Sequence, residues 1–152
     1  MTSPAPPPSP APTPAVPELF AAAAAARGHA HVPYSRFQVG AAIRTPDGRV
    51  FAGCNVENAA YPQGQCAEAS AIGAMVTAGA KRIAEIVVIG GPADPAADAS
   101  GLCTPCGGCR QRLREFSAPD TLIHVAGPEG VRATFTLDQL LPFSFGPDNL
   151  SF

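Results

Sequence analysis

Cys66-Ala67-Glu68 and, further along, Pro105-Cys106-Gly107-Gly108-Cys109 are the stretches on which the reading of this chain turns. Three thiols and a carboxylate meet the needs of a catalytic zinc centre, which takes three protein ligands and keeps its fourth position open. Cys66, Cys106 and Cys109 are the candidate ligands. Glu68 stands two residues past the first of them, too close for comfortable joint ligation but well placed to carry protons beside the metal. Cys106 and Cys109 lie three apart, so one helical turn points both sulfurs the same way. Pro105 suits the turn entering that helix. Cys66 opens a second helix-forming run. Helix N-termini carry partial positive charge and favour thiolate, the form that binds zinc.

Two other readings compete. A structural zinc site would close with a fourth ligand, and Cys103 could supply it, because Cys103-Thr104-Pro105-Cys106 is a second, overlapping CxxC. The CxxC could also be redox-active. His29, His31 and His124 do not recur at ligand spacing. Glu68 weighs against a purely structural centre, which needs no carboxylate beside its ligands.

The bulk composition narrows the function classes. A chain of 152 residues is one domain by length and can bury a real core. Hydrophobic residues make up 46% and charged residues only 14%, so the surface is poor in charge, which suits an oligomer. The net charge is −2 and no Lys/Arg cluster occurs, so nucleic-acid partners are not expected. Five cysteines, an odd number with CxxC spacing among them, point to a reducing compartment and metal work rather than disulfides. No apolar run approaches a membrane span. The Ala run at 21–26 lacks a basic leader and follows prolines, so it does not read as an export signal.

Residues 1–17 are almost entirely Pro, Ala, Ser and Thr, a composition with little to bury, and are expected to be disordered. The domain proper is expected over 18–152. An Ala-rich helix is predicted over 18–29. Strands over 37–45 and 49–55 are joined by Pro46-Asp47-Gly48, a strong hairpin signal. A polar loop over 56–65 leads to a helix over 66–78. The run 82–89 is nearly all apolar, as in a buried central strand. A Gly/Pro/Asp loop over 90–104 precedes a helix over 107–116, with Arg110, Arg112 and Arg114 on its outer faces. Strands over 121–125 and 131–135 and a short helix over 136–141 complete the order. That order predicts an α/β fold, a three-layer α/β/α sandwich around a five-stranded mixed sheet.

Beyond the zinc motif, the chain resembles the cytidine deaminases, in their small, homotetrameric, three-cysteine class. A ligand-x-Glu followed by Pro-Cys-x-x-Cys is the signature of zinc nucleobase deaminases. The resemblance spans roughly 18–152. It also rests on the block 33–42 beginning Pro33-Tyr34-Ser35, on Gly53-Cys54-Asn55-Val56-Glu57-Asn58-Ala59-Ala60-Tyr61, on Arg110-Gln111, and on Leu140-Leu141-Pro142 with Phe145-Gly146-Pro147.

The resemblance implies one zinc per chain and hydrolytic deamination of cytidine and deoxycytidine. It places the enzyme in pyrimidine salvage, cytoplasmic and homotetrameric, with a small nucleoside as its partner. It assigns Glu68 as the catalytic proton carrier, and Asn55 and Glu57 to the ribose hydroxyls, which an amide and a carboxylate can grip as donor and acceptor. It assigns Phe37 to the pyrimidine face and adds Tyr61 to the substrate site. The Ala67 N–H would donate to the base carbonyl. The Thr104 backbone would accept from the leaving amine, where the family more often has Ser. Phe145 would reach a neighbouring subunit's site. Cys54 and Cys103 have no matching role.

One departure stands out. Ala69 follows Cys66-Ala67-Glu68 where the family usually has Arg to offset thiolate charge, leaving Arg110 or the helix termini to compensate. The alternatives to a cytidine deaminase are a deaminase of a modified cytosine nucleoside, of the blasticidin type, and a non-catalytic zinc protein.

Overall fold

The computed structural model describes residues 10–150. Within them, Thr45 and the Asp47-Gly48 turn reverse the chain: the Gly48 N–H donates to the Thr45 carbonyl at 2.9 Å and the Thr45 N–H to the Arg49 carbonyl at 2.9 Å. The hairpin so formed pairs β1 (Phe37–Arg44) with β2 (Val50–Cys54). On its other edge β1 runs antiparallel to β3 (Glu85–Pro92), with Val39 opposite Gly90. β3 is parallel to β4 (Leu122–Gly127), and β5 (Gly130–Thr136) returns antiparallel to β4. The sheet order is β2-β1-β3-β4-β5, the five-stranded mixed sheet expected from the element order. β3 starts and ends three residues later than its apolar run suggests, because Arg82 to Ala84 form the approach and Gly90 to Pro92 still pair with β1.

Strand side chains alternate between two faces, and each face has its own core. Ala42, Val87, Ile89 and Ala126 pack with Val16, Leu19 and Ala23 of α1 (Val16–Arg27). Ala41, Ile43, Ile86, Val88, Ile123 and Val125 pack under α2 (Ala67–Thr77) and α3 (Gly107–Phe116), with Leu137 of the short α4 (Leu137–Leu140) closing the layer. Met75 and Leu113 are completely enclosed there, each contributing about 1.5–3 kcal/mol relative to exposure. α2 lies so close to β2 that a Cβ on Gly53 would fall 2.5 Å from the Ala71 nitrogen. That contact fixes the height of α2, and with it Cys66 and Glu68, above the sheet.

The apolar reading of 82–89 passes over one residue. Glu85 is only 1% exposed and sits in a polar network across the sheet. It receives Arg44 at 2.6 Å, the Thr13 hydroxyl at 2.6 Å and His124 Nε2 at 3.0 Å, while His124 Nδ1 meets the Thr134 hydroxyl at 2.9 Å. Burial would push the Glu85 carboxyl up, but hydrogen bonds from Thr13, His124 and Arg44 outweigh it and hold it below its ordinary value. α1 begins at Val16 rather than Glu18, and Val16 is buried. Contacts with the fold therefore reach Thr13, inside the stretch whose composition suggests nothing to bury. The rest of the disorder expectation, for residues 1–9, lies outside the described residues.

Candidate active site

Two helix starts converge at the centre. Cys66 is the N-cap of α2 and Cys106 the N-cap of α3, both in extended backbone conformation and neither capped by a side chain. Cys109, one turn into α3, points inward and is fully buried. The ligand atoms of Cys66, Cys106 and Cys109 all lie within 4.8 Å of one another, and the Cys66 and Cys106 sulfurs are 3.8 Å apart. Tetrahedral zinc with bonds of about 2.3 Å sets its sulfurs about 3.8 Å apart, so the donor set fits that ion. Cys103 is not part of this group. Its sulfur lies against Gly90 instead, so the four-cysteine site is not what the geometry assembles.

Glu68, in the first turn of α2, is 4% exposed and faces the thiols, with Cys109 Sγ 3.3 Å from its Oε2. Burial raises the Glu68 carboxyl above its ordinary value. Burial first, and then the Glu68 charge, also push the Cys109 thiol strongly up. Cys66 is raised as well, chiefly by burial. At Cys106 burial acts in the same sense, but hydrogen bonds from Cys109 and Cys66 outweigh it and lower the thiol. Four acidic groups packed this closely resist ionising together; a bound divalent cation reverses that balance.

A cavity of about 300 Å³ opens beside the centre. Cys66, Ala67, Glu68, Thr104 and Cys106 line it together with Asn55 and Glu57. The Asn55 side chain braces β1: its Oδ1 accepts from the Val39 N–H at 2.8 Å and its Nδ2 donates to the Phe37 carbonyl at 2.9 Å. Glu57 Oε2 accepts from the Tyr34 and Ser35 N–H groups at 3.0 and 3.2 Å. Hydrogen bonds from Ser35 and then Tyr34 hold its carboxyl below the ordinary value, so it is a standing acceptor in the cavity lining.

Three expected substrate residues lie outside this cavity. Phe37 lines a neighbouring one with Gly90 and Cys103. Tyr61, 76% exposed, stands edge-on to Tyr34 at a ring separation of 5.9 Å. Phe145 is exposed beyond α3, its carbonyl accepting from Gln111 Nε2 at 2.9 Å.

Arg110 does not lie on an outer face. Its Nε donates to the Pro105 carbonyl at 2.8 Å, Nη1 to the Leu140 carbonyl at 2.7 Å and Nη2 to the Thr104 hydroxyl at 3.2 Å. It is a positioning residue that ties the loop before Cys106 to the end of α4. Arg114 likewise holds Ser144 and Asp148. Sequence reasoning missed both clasps, since the only signal is the i, i+4 spacing of two arginines on a helix whose partner segment lies 30 residues away.

A mixed five-stranded sheet that brings three thiols and a buried carboxylate to two helix N-termini, beside a cavity, defines a zinc-dependent hydrolytic deaminase. Residues 16–125 match the family model "Cytidine and deoxycytidylate deaminase zinc-binding region". The chain belongs to this family. It is 36% identical over 137 residues to the cytidine deaminase of Sporosarcina psychrophila, covering 90% of this chain and 96% of that protein. It is 41% identical over 122 residues to the cytidine deaminase of Mycobacterium tuberculosis, covering 80% and 82%. The crystal structure of cytidine deaminase from Burkholderia pseudomallei superposes with a TM-score of 0.74 at 40% identity, covering 84% of this chain and 97% of that one.

Proposed function

We propose that this chain hydrolyses cytidine and deoxycytidine to uridine and deoxyuridine with release of ammonia, as a cytoplasmic homotetramer in pyrimidine salvage. The observation that supports this most directly is Glu68, a buried carboxylate beside three clustered thiols, in the lining of a cavity that Asn55 and Glu57 also line. When bound to Cys66, Cys106 and Cys109, zinc supplies an acidified water.

The chain's own residues do the rest. Glu57 and the remaining hydrogen-bonding capacity of Asn55 hold the sugar hydroxyls and set the depth of the base. As the first residue of α2, Ala67 has an N–H without an intrahelical acceptor, free to bind the base carbonyl. Glu68 takes a proton from water as oxygen adds at C4 and delivers it to N3. It takes the second proton to the 4-amino group, which leaves as ammonia while the Thr104 backbone accepts from it. Water and nucleoside in, uridine and ammonia out, the carboxylate ends as it began.

Assembly is supported by the surface. Phe143 is fully exposed and Phe145 is 60% exposed, so neither ring folds back onto its own core. Such exposed rings are apolar surface suited to a second copy of the chain. No helix among the described residues is long and apolar enough to cross a membrane. The sugar-facing pair and the family relatives favour plain nucleosides over a modified-nucleoside substrate.

The decisive assay follows ultraviolet absorbance with cytidine, deoxycytidine, CMP and blasticidin S in parallel. Turnover of the two nucleosides is expected. Turnover of blasticidin S alone, or of CMP in preference to cytidine, would overturn the proposal.

A further inference from the structure

We propose that Cys103 is a specificity-determining wall that limits how large a substituent the pyrimidine can carry at C5; this rests on the nucleoside reading above. Cys103 borders two cavities at once. One is the 300 Å³ cavity beside the thiol centre. The other, about 230 Å³, lies behind it between Phe37, Pro92, Ala99 and Leu102. The thiol is backed by the strand on its β3 side. It rests on Gly90, where an added Cβ would fall 2.1 Å from its sulfur and 3.2 Å from the Phe37 ring. Burial raises the Cys103 thiol to about 11, so it stays neutral and offers an apolar surface.

The orientation of the base follows from what the cavity presents. C4 must sit at Glu68 and the thiols, and N1, directly across the ring, must point its sugar towards Asn55 and Glu57. Of the two remaining edges, N3 and the C2 carbonyl need hydrogen-bond partners, which Glu68 and the Ala67 N–H supply. The hydrocarbon edge, C5 and C6, is left to the apolar wall. Val39 and Cys103 form that wall side by side, because Val39 pairs with Gly90 across β1 and β3 and Cys103 sits on Gly90. A group on C5 therefore meets the Cys103 sulfur, and behind that sulfur is space.

The test compares kcat/KM for cytidine, 5-methylcytidine and 5-ethylcytidine in the wild type, Cys103→Ala and Cys103→Val. Taking the variant's preference relative to the wild type's cancels the electronic effect of each substituent. A methylene against a tight apolar wall is worth roughly 10- to 200-fold. Cys103→Ala should therefore raise the relative preference for 5-ethylcytidine by about tenfold or more, and Cys103→Val should lower it. Zinc content of each variant confirms an intact centre. Unchanged relative preferences in both zinc-loaded variants would overturn the wall, even with normal cytidine turnover. A wild type that neither turns over cytidine nor binds uridine would instead refute the nucleoside reading beneath it. If a variant proves too unstable for kinetics, the affinities of uridine and 5-ethyluridine for the wild type and the other variant decide the same question.

Discussion

Replacing Glu68 with Gln separates proton transfer from everything else that residue does. The side chain is 4% exposed, and its one side-chain partner is the Cys109 sulfur at 3.3 Å. Gln fills the same volume and can still meet that sulfur, so the fold and the thiol cluster should survive. The amide cannot shuttle a proton. One general acid–base role is worth roughly 10²- to 10⁴-fold, or about 3–5 kcal/mol of barrier, and Glu68 is asked to serve more than one transfer. The expected loss in kcat is therefore at least 10³-fold, with zinc content unchanged. The melting temperature should not fall, because the neutral isostere has no charge to desolvate in that pocket. The assay is single-wavelength kinetics on cytidine, with metal analysis and a thermal melt on the same sample. A Glu68→Gln protein with full zinc and a rate within tenfold of wild type would refute the role. One that loses zinc would show that Glu68 belongs to the ligand set.

Three further outcomes follow from other parts of the structure. Cys106→Ala should lose most of its zinc while Cys103→Ala keeps it, and equal loss would restore the four-cysteine site. Phe145→Ala should raise the Michaelis constant for cytidine and shift light scattering towards smaller species; no change in either would show that one chain completes its own site. Glu85 sets an acid limit. Its carboxyl is held below the ordinary 4.5 in the fold, so its stabilising effect is present above that value and is lost as pH falls through the lower, folded one. Urea melts from pH 6 downward should show wild-type stability dropping in that window, and Glu85→Gln should start lower at pH 6 and fall less steeply; parallel curves would exclude the network.

The thiols and Glu68 were legible because their spacing carries the chemistry: a ligand at a helix start and a CxxC at another need little tertiary information to be paired. The hairpin at Pro46-Asp47-Gly48 was legible for the same local reason. What escaped depends on distant partners. Glu85 looks like an interruption in an apolar run until His124 of β4, Arg44 of β1 and Thr13 before α1 are brought around it. Arg110 looks like a surface charge until Leu140 arrives beside it. Asn55 could be assigned to a sugar from the family motif, but nothing local shows that its amide first braces β1 at Phe37 and Val39. The placing of Phe37 in a second cavity also lay beyond the sequence, since it depends on Cys103 filling the hollow above Gly90.

α3 is anchored at both ends of its work. Its first turn supplies Cys106 and Cys109, while Gln111 and Arg114 grip the segment that displays Phe143 and Phe145. A contact made on those rings therefore pulls on the same rod that holds two of the three thiols. Such coupling is reciprocal by thermodynamic necessity. In the proposed oligomer, whatever factor subunit docking contributes to metal retention, metal binding must return to docking, and dilution and chelation would become two handles on one equilibrium.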